Sequence, residues 1–73
     1  MEPVTDLALD LPTRIERRAR ALTVSELSGL IHLSSKTVYA LVAQGSIPYY
    51  RIAGSIRFDP VRVASWLRSQ TAA

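Results

Sequence analysis

The chain has 73 residues, a formal net charge of +3 and no cysteine, which allows one small domain and excludes disulfides and thiolate metal sites. Its single histidine, His32, has no ligand set beside it for a metal centre, and no apolar run approaches the ~20 residues that a membrane-spanning helix needs. The acidic start MEPVTDLALD lacks the basic and apolar regions of a signal peptide, so a soluble cytoplasmic protein without a cofactor is expected.

Charge is unevenly placed along the chain. Glu2, Asp6 and Asp10 open it, and beyond them Lys36 and eight arginines face only Glu16, Glu26 and Asp59. A basic body of this kind seeks polyanions. Paired carboxylates, a nucleophile with its base, a metal set and a glycine-rich phosphate loop are all missing, so an enzyme is not expected.

In chain order, residues 1–12 carry two prolines and three acids and read as an acidic flexible tail. PTRIERRARAL, from Pro12 to Leu22, has helix formers and a Glu16/Arg20 spacing of i,i+4, and it sets Arg14, Arg17 and Arg18 on one face. This arm is either a solvated, frayed helix or a basic helix that adds phosphate contacts. Residues 1–21 are thus expected to precede a compact domain over 22–69, with 70–73 as a loose end.

Thr23 and Glu26 have the spacing of a capping box, and Leu27, Leu30 and Ile31 follow as an apolar stripe. Gly29 inside that helix suggests that another backbone passes close by. His32 should cap the helix or lie on the surface. Ser34 or Ser35 then caps a second helix over 36–44 with Val38, Leu41 and Val42 inward, and Gly45 stops it. Two short helices joined by a tight turn form a helix-turn-helix pattern.

On the outer face of the second helix stand Lys36, Ala40, Ala43 and Gln44, with Thr37 and Tyr39 flanking the core. Small residues permit close approach to a major groove, while Ser34, Ser35, Lys36, Thr37 and Tyr39 can bond phosphates or base edges. Each also has a plain structural alternative as a cap, a solvated charge or a core edge.

IPYYRIAGSIRFDP reads as a hairpin. A three-residue loop of Ala53, Gly54 and Ser55 pairs Ile52 with Ile56, Arg51 with Arg57, and Tyr50 with Phe58. One face then gathers Ile52, Ile56, Tyr50 and Phe58 against the helices, and the other shows Arg51, Arg57, Tyr49 and Asp59. A two-residue loop of Ala53 and Gly54 mixes these faces, so the alternation favours the three-residue loop. Facing arginines repel, and a phosphate lodged between them gives a reason to keep both. Asp59 and Pro60 start a last helix with Val63, Trp66 and Leu67 inward. The fold class is mostly α with a small β-hairpin.

LTVSELSGLIHLSSKTVYALVAQGSIPYYRIAGSIRFDPVRVASWL, from Leu22 to Leu67, resembles the excisionase-type DNA-binding domain, a small relative of the MerR winged-helix group. The resemblance rests on the opening LTV, the S-x-x-T-V-Y helix ending at Gly45, then IPYYRI, IRFD and a final helix bearing WL. It implies a winged helix-turn-helix: helix-turn-helix, two-stranded wing, C-terminal helix. It also implies a sequence-specific double-stranded DNA-binding protein, either a recombination directionality factor or a small transcriptional regulator. Helix 36–44 would enter the major groove, with wing 48–59 on the backbone or minor groove.

Carried over by position, the resemblance implicates Ser35, Lys36, Thr37 and Tyr39 in the helix and Arg51, Ser55 and Arg57 in the wing. Many relatives carry basic residues where Ala40 and Ala43 stand, and more arginine at the wing tip than AGS. Fewer cations imply weaker binding by a monomer. Arg14, Arg17 and Arg18, further copies bound cooperatively, or an integrase or other DNA-bound protein are therefore expected to help. The competing class is a protein-interaction module of the same fold, docking an acidic partner through Tyr49 and the arginine stripe.

Overall fold

The computed structural model of the chain describes residues 9–70; the readings of 1–8 and 71–73 lie outside the described residues. The elements run α1 (Leu11–Glu16), α2 (Val24–Ile31), α3 (Ser35–Ala43), β1 (Tyr50–Ile52), β2 (Ser55–Arg57) and α4 (Pro60–Ser69). A mostly helical chain with a two-stranded antiparallel wing and a C-terminal helix is a winged helix-turn-helix.

Local chemistry fixes the helix ends. Asp10 caps α1 by accepting the Thr13 N–H at 3.0 Å, and this hydrogen-bonding to Thr13 holds its carboxyl below the ordinary value of 3.8. The capping box of α2 is complete: the Glu26 N–H donates to Thr23 Oγ1 and the Thr23 N–H to Glu26 Oε1, both at 3.0 Å. That Thr23 amide, helped by Arg20, keeps the Glu26 carboxyl below its ordinary 4.5.

His32 ends α2 in the left-handed conformation, φ 57°, and is exposed, in keeping with its reading as a cap. The turn leads directly to Ser34, whose Oγ accepts the Thr37 N–H at 3.1 Å as N-cap of α3. At the other end Gly45 takes φ 68° while its N–H donates to Val42 and the Ser46 N–H to Leu41, a Schellman closure. Asp59 caps α4 through the Val61 N–H at 3.1 Å, with Pro60 at its first position.

The core joins the inward stripes of these helices to the base of the wing. Leu27, Val38, Val42, Val63 and Phe58 are buried, with Leu30, Ile31, Leu41, Trp66 and Leu67 packed around them. Ile15 of α1 is fully buried in the same core, and α1 lies against α4. The segment read as a solvated or frayed arm is therefore partly docked.

Six expectations are corrected. The arm helix stops at Glu16 instead of running to Leu22, because Leu22 leaves it to bridge Phe58, with N–H to carbonyl bonds of 2.8 and 2.9 Å in both directions. Arg17 becomes the C-cap of α1 and Arg18 lies beyond it, so Arg14, Arg17 and Arg18 do not share one helical face. With no helical turn left to span, Glu16 pairs with Arg68 at 2.7 Å and Arg20 with Glu26 at 3.5 Å, not with each other.

Gly29 is exposed and a Cβ there meets nothing within 4 Å, so no backbone approaches it. Thr37 and Tyr39 do not flank the core but are exposed on α3. The sixth correction concerns the wing. Its loop has two residues, Ala53 and Gly54, and the register is Tyr50 with Arg57, Arg51 with Ile56, and Ile52 with Ser55. Both loop residues take positive φ, 50° and 81°, as in the type I′ turn whose twist matches that of the flanking strands. Arg51 and Arg57 therefore do not face each other. Ile56 and Phe58 point to the core side, whereas Tyr50 and Ile52 stay exposed.

Candidate nucleic-acid interface

α3 turns its apolar stripe inward and leaves the opposite face bare. Ser35, Lys36, Thr37, Tyr39, Ala40, Ala43 and Gln44 are all exposed. Ala40 and Ala43 keep the middle of this face low, so the backbone of α3 can approach a flat or grooved surface closely. Among the described residues no carboxylate lies within 4.0 Å of the Lys36 ammonium, which stands free at the first turn.

The hydroxyls around it are partly engaged. Ser34 Oγ lies 2.9 Å from Thr37 Oγ1 as well as accepting the Thr37 amide, and Ser35 Oγ is 3.4 Å from Ser28 Oγ. These are exposed bonds between neighbouring side chains, so each hydroxyl keeps capacity for an outside acceptor. Tyr39, 53% exposed, reaches from α3 towards the wing.

Between them lies an open cleft of about 490 Å³, bounded by the start of α2, by Tyr39 and by Arg51, Ser55 and Arg57 of the wing. Arg51 shares the core-side face of the wing with Ile56, which directs it to this cleft. Arg57 is half-buried and donates from Nη1 to the Ile56 carbonyl at 2.8 Å, so its guanidinium is held close to its own strand. Ser55 opens β2 beside the loop and is exposed.

The structure thus brings Tyr39, Arg51, Ser55 and Arg57 to one cleft, with Ser34, Ser35, Lys36 and Thr37 on the first turn of the adjoining helix. Arg14, Arg17 and Arg18 are not among the residues that line it. Arg14 is half-buried on α1 with its Nε unpartnered, and Arg18 borders a separate groove beside Leu22 and Leu30. Thr23 and Ser25 also line the cleft and were not foreseen as site residues. The capping-box spacing marked that helix start, but only the fold shows that it opens onto the wing.

The arginine stripe expected with Tyr49 is absent, since the register puts Arg51 and Arg57 on opposite faces of the wing. Among the described residues no three His, Cys, Asp or Glu side chains are grouped to hold a metal ion, and no helix is long and apolar enough to cross a membrane.

A family model for the helix-turn-helix domain matches residues 21–71. The chain belongs to that family. This helix-turn-helix domain is of the excisionase type, in agreement with the resemblance read from Leu22 to Leu67, and it supports double-stranded DNA as the partner. The match begins at Ala21 and so takes in α2, α3, the wing and α4 but not α1. No curated protein and no solved structure matches the chain significantly.

Proposed function

We propose that the protein binds double-stranded DNA sequence-specifically, with α3 in the major groove and the wing on the flanking backbone or minor groove. The observation that carries this reading is the continuity of α3's bare outer face with the cleft at Tyr39 and Arg51, together with a free Lys36. In this arrangement Lys36, Tyr39, Ser35 and Thr37 contact base edges and nearby phosphates, and Ser34 stays principally a cap. Arg51 and Ser55 meet the backbone from the wing, and Arg57 supports them from the strand edge.

Thr23 and Ser25 join the same set, because they border the cleft at the start of α2. Arg14, Arg17 and Arg18 add only long-range attraction, since they lie off the cleft. The role is that of an excisionase-type recombination directionality factor or a small transcriptional regulator in the cytoplasm. One cation on α3 is sparse for a monomer, which favours further copies or a DNA-bound protein such as an integrase beside it.

Selection of bound duplexes from a random pool, followed by footprinting, tests this. A defined motif, with protection centred on one major groove and its flank, is expected. Absence of any mobility shift at low salt overturns the reading. Spacing of recovered sites and cooperative loading accompany the architectural role, in which several copies bend the DNA; strictly independent loading favours the regulator.

A further inference from the structure

On the wing's outer face, which Ser55 and Arg57 share, Tyr50 and Ile52 take no part in the proposed DNA contacts. Tyr50 is 45% and Ile52 58% exposed there, side by side along β1. With Ala19, Ala21 and Pro60 they line a groove of about 240 Å³ between the wing and the segment after α1. Small-molecule pockets start near ~300 Å³, so this groove is sized for side chains of a polypeptide. β1 is also the open edge of the sheet: among the described residues it pairs only with β2, and Leu22 bridges Phe58, just past β2, on the far side. In a hairpin with a two-residue loop the pair beside the loop is hydrogen-bonded, which turns the N–H and C=O of Arg51 outward to that edge.

The surroundings of the groove are basic. Arg57 borders it, and the Arg62 guanidinium sits 5.8 Å from the centroid of the Tyr50 ring. Arg20 borders it too but is paired with Glu26 at 3.5 Å, and the nearby Asp59 carboxylate is engaged in capping α4.

We propose that this groove docks an extended segment of a partner protein that carries apolar side chains with acidic ones beside them. The apolar side chains lie on Tyr50, Ile52, Ala19 and Ala21, and the acids meet Arg57 and Arg62. The segment lies extended across the wing's outer face, because the open β1 edge is on the side away from Ala19 and Ala21. A second copy fits worse: an isologous contact sets the patch bearing Arg57 and Arg62 against the same basic patch of the other copy. It also joins two bodies whose described residues carry nine cations against Asp10, Glu16, Glu26 and Asp59. The site adds to the DNA-binding reading and does not rest on it, because Tyr50 and Ile52 point away from the face that carries Arg51 and Ile56.

The test uses the full chain, a short synthetic peptide alternating valine and glutamate, and a control with lysine for glutamate. Backbone amide shifts are followed by NMR. Saturable shifts at Ala19 to Ala21 and Tyr50 to Ile52 are expected, at least tenfold weaker in affinity for the lysine peptide. Ile52→Ser removes one exposed apolar side chain and is expected to cost about tenfold in peptide affinity, with thermal stability and DNA binding unchanged. Equal binding of both peptides, or no saturable shift, overturns the proposal. So do shifts centred on Tyr39 and Arg51, which mean that the peptide only imitates phosphate. Movement of the β1 amides with protein concentration alone, or on deletion of residues 1–8, also overturns it by naming the chain itself as occupant.

Discussion

The α2–α3 pair is closed at its ends by side chains, whereas the wing hangs from the core by one buried aromatic. In the helix pair, Thr23 with Glu26, and Ser34, occupy the helix starts, while Val38 and Leu27 are fully buried beneath them. In the wing each strand has three residues, and Tyr50, Arg51, Ile52 and Ser55 are exposed. Phe58, fully buried and bridged to Leu22, is what fixes its base. A rigid helix pair presenting a defined surface suits the reading of shape and base edges. A lightly held wing that carries arginines suits the backbone, where position matters less than charge.

The largest effect is expected at that anchor. Phe58→Ala should destabilise the fold by about 3–5 kcal/mol, much of what a small domain has. Ile52→Ala, six residues earlier on the open face, should stay within about 0.5 kcal/mol. Urea denaturation followed by circular dichroism checks both, and similar losses for the two would mean that Phe58 does not anchor the wing. Next comes the charge of the wing. Arg51→Ala is expected to lower the logarithmic salt slope of DNA binding by about 1, and Arg57→Ala by less, because its guanidinium is partly spent on the Ile56 carbonyl. Since the two point to opposite faces, their effects on affinity should add to within about 0.5 kcal/mol. A strong coupling in the double variant would restore the facing pair that the register excludes.

Most of the fold was legible because it is written in local chemistry. Capping residues, the Gly45 stop, the Asp59–Pro60 start and the apolar stripes of α2, α3 and α4 each act within a few residues, and all stand as read. The wing register was not legible in that way. Alternation made Tyr50 and Ile52 look like partners of Ile56 and Phe58, but two strands can be offset by one residue without changing either strand's own pattern. What decides between the offsets is the loop, where Ala53 takes a left-handed φ usual for glycine or asparagine. The same limit applied to α1: Ile15 becomes core only because α4 is there to cover it, a contact between distant parts of the chain. At the site, the outward Lys36, Ala40, Ala43 and Gln44 of α3 followed from helical period alone, whereas the exposure of Thr37 and Tyr39 did not. That Thr23, Ser25 and Tyr39 meet Arg51 needed the fold.

Smaller effects should separate the helix pair from the wing more finely. Ser34→Ala removes the α3 cap and is expected to cost about 1 kcal/mol, with Ser34→Gly costing only a few tenths. For α2, the Glu26 carboxyl is held below its ordinary 4.5 by the Thr23 amide. Its contribution is therefore complete above that value and is lost as pH falls through the lowered one. Glu26→Gln, which keeps the shape but not the titration, should flatten the acid side of the stability profile. An unchanged profile would mean that the capping box is not held in solution.

The smallest effect bears directly on the turn. Ala53 has φ 50° and Gly54 φ 81°, the pattern for which Asn-Gly is the favoured pair. A left-handed alanine costs ~1–2 kcal/mol, and asparagine tolerates that conformation better, so Ala53→Asn should raise stability by about 0.5 kcal/mol. In a three-residue loop the left-handed position falls last, at Ser55, and an asparagine at position 53 gains nothing there. A thermal melt of Ala53→Asn beside Ser55→Asn therefore distinguishes the two registers. If Ser55→Asn is the stabilised one, Arg51 and Arg57 face each other after all, and the split between a cleft-facing Arg51 and an open apolar face at Tyr50 and Ile52 is lost with the register.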